Sequence, residues 1–513
     1  MLELSMRRLA TGAAFLTCLT LPVTARAQVV SVPSAVPPAV SATPAVSGTP
    51  AVSATPAVSA SPLTGPESTT AQTIPLTVPS PVASGAPELR RALPAPLDPI
   101  FPSTDFPGPA YLIGVPSDRG VRAYGWLDGG FELSTSKNSN FPLSYNDVPN
   151  SPQIDQFVLR FDKEPDVLQQ DHFDWGFRVT NLYGVDYRYT TMEGVLSNQL
   201  LLRNQTNGYD PVEVYAVGYF PRWGEGTTLQ LGRYISPPDI EANLAPQNFL
   251  YTHSIMFTFD SYTHMGALFT TMLSQYWTLL YGVHFDTDTA AWDGSEHFPT
   301  ALLLARYVTH SNRNSVFFGV DAYNLSGNFK TWTKGTYVNA ATGQVLPVLW
   351  GHDNLQQFNS TWTHVFNSGF QNQFEAYYLY SINAFVGGTI NNFNLATAGP
   401  PYLGAGGGPG AFLPGLSNAV GLVDYLAKKL GPQIFGTLRL DYLNDPRGWR
   451  SGFPTAYGSI TTGVTYHAYP TVELRPEIRM EKAFRAGVTP YDNGTKNYQT
   501  TFGMDAIFDY GNP

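Results

Sequence analysis

In the stretch TVELRPEIRME, residues 471–481, Glu473, Arg475, Glu477, Arg479 and Glu481 stand at every second position. Val472, Leu474, Pro476, Ile478 and Met480 fill the places between them. Wound as a helix, both classes would scatter round the axis. Extended, the charges line one face and the apolar groups the other. Carboxylates and guanidiniums so spaced can pair with cross-strand neighbours, or can present fixed charge to whatever passes over that face. Arg439 and Asp441 alternate in the same way with Leu438, Leu440 and Tyr442 inside QIFGTLRLDYL, residues 433–443. A further set of acids, Asp239, Glu241 and Asp260, falls in residues 235–263, ISPPDIEANLAPQNFLYTHSIMFTFDSYT.

Other chemistry has less support. His253 and His264 flank SIMFTFDSYT, but no cysteine or carboxylate accompanies them in zinc-like spacing, so no metal is expected. Serine and histidine are both present, yet no motif joins them as nucleophile and base. No catalytic residue and no cofactor are expected. The formal net charge of −10 disfavours a nucleic-acid partner.

The charges need elements that hold them on one face. Two-faced segments recur from Arg122 onward. WGFRVTNLY (175–183) sets Trp175, Phe177 and Val179 against Arg178 and Thr180. YWTLLYGVHFD (276–286) sets Trp277, Leu279, Tyr281, Val283 and Phe285 against Thr278, His284 and Asp286. Period-two patterning predicts 16 strands: 122–134, 154–163, 173–183, 212–220, 227–234, 264–273, 276–286, 299–308, 314–323, 355–366, 370–383, 419–427, 433–443, 457–467, 471–481 and 497–510. Long and short connections alternate between them. A soluble sandwich could expose one charged face to water but gives no reason for that alternation. A closed antiparallel transmembrane β-barrel does, with long outer loops, short periplasmic turns, a wet lumen and a lipid-facing apolar side. An even strand count puts both ends of the barrel in the periplasm.

The chain ends fit this placement. Arg7 and Arg8 precede the apolar run LATGAAFLTCLTLPV and the small-residue site ARA, a secretory signal peptide (1–27) cleaved after Ala27. The single cysteine, Cys18, leaves with it, so disulfides are not expected. The remaining chain holds 26 (29 − 3) basic and 38 (39 − 1) acidic residues, a net of −12. Residues 28–110 carry the repeats AVSATP, AVSGTP, AVSATP and AVSASP. Proline blocks ladders, and Ala, Ser and Thr bury too little area to offset ordering entropy, so a disordered tether is expected before a barrel of 122–510. At the other end, in YQTTFGMDAIFDY (498–510), Tyr498, Phe502, Met504, Ala506, Phe508 and Tyr510 share one face. Gly503, Phe508 and Tyr510 resemble the C-terminal signal by which the barrel-assembly machinery recognises outer-membrane barrels. The tail GNP departs from that pattern, since most such chains stop on the aromatic.

GWLDGGFEL (125–133), YTHSIMFTFDSYTHMG (251–266), LRLDYLNDPRG (438–448), ITTGVTY (460–466) and LRPEIR (474–479) resemble the OmpL-like putative beta-barrel porin family of Gram-negative bacteria, over about 122–510. The resemblance implies an outer-membrane pore. Passive diffusion of small hydrophilic solutes or ions is the expected function. In general porins the loop after the fifth strand narrows the pore. Here Asp239, Glu241 and Asp260 on that loop would face Arg439, Arg475 and Arg479 on the wall. The alternative is that these groups only stabilise the wall. Two other functions stand beside diffusion: a plugged barrel anchoring the tether to peptidoglycan, and a dedicated polysaccharide export channel using Trp126, Tyr215, Tyr219 and Trp362 as lumen aromatics. A homotrimer in outer-membrane lipid is a further expectation. Limited proteolysis of the mature protein in detergent should strip residues 28–110 and leave a protected 122–510 core. A resistant N-terminal fragment would contradict this.

Overall fold

The computed structural model describes residues 120–512, apart from 143–144, 147, 168, 202, 204, 238, 293–298, 312, 329, 339–344, 353, 368 and 388–411. The signal peptide and the repeat-bearing tether expected from the sequence lie outside the described residues. The strands are β1 (Arg122–Ser134), β2 (Pro152–Lys163), β3 (Asp174–Gly184), β4 (Gly208–Phe220), β5 (Thr227–Ile235), β6 (Thr263–Met272), β7 (Trp277–Phe285), β8 (Pro299–Val308), β9 (Asn314–Tyr323), β10 (Lys330–Val338), β11 (Val345–His352), β12 (Gln356–Asn367), β13 (Phe370–Phe385), β14 (Phe412–Gly431), β15 (Ile434–Asp445), β16 (Thr455–Tyr469), β17 (Val472–Ala483) and β18 (Tyr498–Asn512). All but β10 and β11 form one closed antiparallel barrel in sequence order, with β18 pairing back onto β1. The 16 expected strands are therefore the barrel strands.

Two elements differ from expectation. β10 and β11 form a separate hairpin within the connection between β9 and β12, which was read as loop. Its Thr, Trp and Tyr content is that of a strand. β14 begins at Phe412 rather than near residue 419, because Phe412 continues the pairing of β13 as far as Phe385.

The partition of side chains is inverted relative to a water-soluble domain. On β17, Glu473, Arg475, Glu477, Arg479 and Glu481 are buried, whereas Ile478 is 38% and Met480 51% exposed. On β18, Gln499, Thr501 and Asp505 are buried, and Tyr498, Phe502 and Phe508 are exposed. Leu127, Phe157, Trp175, Leu231, Val283, Leu303 and Leu440 continue the apolar exterior round the barrel. Phe508 pairs in register with Val472, beside the short turn before β17, and so sits at the short-turn rim. In outer-membrane barrels the short turns face the periplasm.

Register fixes which charges meet. Arg475 lies opposite Asp505, and Glu481 opposite Gln499, across the β17–β18 pair. Thr461 of β16 lies between Arg439 of β15 and Arg479 of β17. Arginine at Ile478, midway along the lipid face of β17, should cost about 2–4 kcal/mol, and arginine at Val472 near the turn about 0–1. Equilibrium folding into lipid vesicles measures both. Equal costs would mean that the register is wrong.

Candidate functional site

The connection between β5 and β6, residues 236–262, does not extend away from the barrel. The Ser236 N–H donates to the Tyr262 carbonyl at 3.0 Å, closing the neck of the loop. Beyond the neck the chain turns inward through two short 3-10 turns, Ala245–Gln247 and Phe257–Phe259. Leu250, Ile255, Met256 and Phe259 pack against Leu379, Val423, Tyr425 and Leu443 of β13–β15. Leu244 and Ala245 pack against Trp126, Val158, Leu182 and Ile507 of β1–β3 and β18. The loop thus spans the lumen between distant strands. Inner-face glycines make room for it. A Cβ at Gly463 would lie 2.6 Å from Leu250, at Gly421 2.7 Å from Met256, and at Gly503 3.0 Å from the Tyr251 ring.

The wall charges hold the loop's main chain. Arg475 Nη1 donates to the Ala245 carbonyl at 2.7 Å and to that of Asn248 at 2.9 Å. Arg439 donates to the Thr252 carbonyl, and Arg479 to that of His253. Arg450 Nε reaches the Phe259 carbonyl at 3.0 Å. The acids take the complementary groups. The Thr252 N–H donates to Glu477 at 3.2 Å, Ile255 N–H to Asp441 at 3.2 Å, and Ile240 N–H to Glu375 at 2.9 Å. Buried main-chain groups left unmade would cost more than the bonds contribute, so each such contact matters for seating.

The ion pairs are mostly within the wall. Arg475 is bonded to Asp505 through Nε at 3.0 Å and lies 3.8 Å from Glu473. Arg479 lies 3.1 Å from Glu481 and 3.9 Å from Asp441. Arg439 lies 3.2 Å from Asp441 and 3.5 Å from Glu241. Glu241 is the one loop acid of the expected set that meets a wall arginine; it also accepts from Tyr425 at 2.6 Å and from the Ser254 N–H at 2.8 Å. Asp239 and Asp260 face Glu375 instead, and the three offer oxygens within 4.8 Å of one another. Burial, with Asp321 next to it, pushes the Asp260 carboxyl up to about 7. His253 stacks between Tyr145 and Phe257 at 4.0 and 4.7 Å. Burial takes its pKa down to about 3, helped by Arg439, Arg475 and Arg479, so it stays neutral at physiological pH.

Three residues have no catalytic geometry despite their types. Ser261 Oγ and His264 Nε2 both reach Asp321 Oδ2 at 2.9 Å, so the carboxylate stands between hydroxyl and imidazole and the serine–histidine contact of a triad is not made. Of the expected lumen aromatics, Trp126 and Tyr219 are buried inside and Tyr215 is on the inner face. Trp362 is not in the lumen: it is 39% exposed on the outer face of β12. Polar residues occupy both faces of that strand, which left its parity ambiguous.

Sequence reasoning missed a second charge ladder, on β1–β4. Arg122 pairs with Asp162 at 2.9 Å, Arg160 with Glu213 at 2.8 Å, and Arg178 with Glu164 at 3.1 Å. It lies toward the short-turn rim. Its signal was the alternation of Arg160 and Asp162 with Leu159, Phe161 and Lys163, weaker than in 471–481 because fewer charges carry it.

A closed 16-stranded barrel, apolar outside and charged inside, with a loop folded into its lumen, defines a porin-type outer-membrane barrel. The chain belongs to the family described as Putative beta-barrel porin-2, OmpL-like, whose sequence model matches residues 120–510. No curated protein matches the sequence. Similar solved structures include the anion-selective porin from Comamonas acidovorans, at 10% identity and TM-score 0.48, covering 76% of this chain and 99% of that one. The outer membrane channel DcaP of Acinetobacter baumannii is similar at 12% identity and TM-score 0.42, covering 77% and 99%. OmpT of Vibrio cholerae is similar at 10% identity and TM-score 0.43, covering 77% and 99%.

Removing the Arg475 guanidinium leaves Asp505 and two loop carbonyls buried without it. Arg475→Met should therefore destabilise the barrel by about 3–5 kcal/mol. Arg475→Met combined with Asp505→Leu should recover part of that loss. Denaturant unfolding in detergent reads the difference, and loop 236–262 should become protease-sensitive in the single variant.

Proposed function

We propose that this barrel is a passive channel for small hydrophilic solutes or ions, narrowed by loop 236–262. The observation that carries this reading is the seating of the loop by its main chain on the walls of β1–β2 and β13–β18. The apolar cluster on the inner faces of β5–β9 contains no residue of that loop, so the loop's apolar side chains pack on the other walls. Signal cleavage after Ala27 would deliver the mature chain to the outer membrane with residues 28–110 as a periplasmic tether.

Charge preference belongs to groups that solutes can reach. Glu241 is balanced by Arg439, and Asp239 faces other acids in the interior, so neither fits the role of an open constriction charge assigned to the loop acids. Accessible side chains remain at the short-turn rim: Glu164 is 39% exposed, Asp174 19% and Arg178 16%. With screening over about 8 Å at physiological salt, such nearby charges outweigh distant ones. Acids exceed bases overall, which supports a mild cation preference.

A plugged, purely anchoring barrel is the second reading. It is favoured by the near-complete burial of Arg439, Arg475 and Arg479 beneath the loop. Planar-bilayer recordings separate the two. A channel gives stable conductance steps and a reversal potential of cation sign under a KCl gradient. Glu164→Gln with Asp174→Asn should move that potential toward anions, whereas Glu241→Gln should change conductance more than selectivity. No conductance in the wild type would favour the anchor.

A further inference from the structure

We propose that Asp239, Asp260 and Glu375 bind a divalent cation of the calcium class, which clips the loop to the lumen wall. The three carboxylates each offer an oxygen within 4.8 Å of the others. Among the described residues, no lysine, arginine or histidine forms an ion pair with any of them. Glu375 and Asp260 are each 2% exposed.

The surroundings have the form of a ligand shell. Glu375 Oε2 accepts the Ile240 N–H at 2.9 Å, while Oε1 has no partner. Asp260 Oδ1 accepts the Ser261 N–H at 2.7 Å and a bond from Gln357, while Oδ2 has no partner. On Asp260 and Glu375 one oxygen is thus oriented by a donor and the other has none, while Asp239 stands within hydrogen-bond reach of both acids, the arrangement carboxylates take around a bound metal or a shared proton. Two buried amides border the acids through their N–H groups, and turned over each would offer an oxygen to an ion. Asn359, 4% exposed, donates to Asp239 at 3.3 Å, and its Oδ1 has no partner. Gln357, fully buried, donates to Asp260, and its Oε1 has no partner.

The donor set is all oxygen, which excludes the nitrogen and sulfur preferences of zinc and copper. Calcium accepts about six to eight oxygens in irregular arrangements, whereas magnesium demands a near-octahedral shell and keeps several waters, for which this interior is less suited. The position gives the ion a task. Asp239 and Asp260 stand near the two ends of the loop, and Glu375 is on β13, separated from β6 by β7, β8, β9 and β12. One ion would tie both loop ends to that far wall and relieve the repulsion among three clustered acids, two of them buried.

Equilibrium dialysis against radioactive calcium tests this on the full mature protein, refolded in detergent free of lipopolysaccharide. The readout is independent of conduction. A saturable site preferring calcium to magnesium is expected, and Glu375→Gln and Asp260→Asn should each weaken it by more than about tenfold. Chelation should lower the thermal midpoint of the wild type and leave the variants unmoved. Absence of a saturable site, or a site that survives both substitutions, overturns the proposal. Should neither variant refold, the wild type decides alone: a rise in midpoint with calcium and not with magnesium supports it, and no rise overturns it.

Discussion

The structure depends on satisfying the main chain of one irregular loop inside a closed barrel. Residues 236–262 cross the lumen without joining a strand ladder, and most of them are buried. Buried carbonyl and N–H groups need partners, and a wall of apolar residues could not supply them. The alternating charges on β15 and β17 do. Arginines face carbonyls of Ala245, Asn248, Thr252 and His253, while Glu477 and Asp441 face the N–H groups of Thr252 and Ile255. Both signs are required because a peptide chain presents both kinds of group, and bonds to charged partners are the stronger ones.

The same alternation lets each strand meet two solvents. Outward positions face lipid and carry Phe, Leu, Ile and Trp; inward positions carry the charges that the loop and neighbouring strands use. The desolvation of those charges is offset by pairing in register, Arg475 with Asp505 across β17–β18 and Arg160 with Glu213 across the inner face of β2–β4. Closure of β18 on β1 removes the sheet edges that lipid could not hydrogen-bond.

The interior charges therefore divide by what surrounds them. Those on β15 and β17 are balanced and hold the loop. Those at the short-turn rim of β2 and β3 keep partial access to solvent. Asp239, Asp260 and Glu375 are balanced by no base among the described residues, which sets them apart from both groups.

The sequence by itself determined the 16 barrel strands and, for most of them, the face that lipid meets, because period-two patterning is local and a strand's two faces differ in solvent. The run from Glu473 to Glu481 showed its buried side in the residues themselves. Where polarity was divided between both faces, as around Trp362, the same rule gave no answer. Only the tertiary structure decided what the charges touch. Arg439 meets Thr252, and Glu375 meets Ile240 and Asp260, through the path of a loop with no periodic pattern to reveal it. Those contacts join residues far apart in the chain, and they exist because barrel closure and cross-strand register bring distant walls round the same loop.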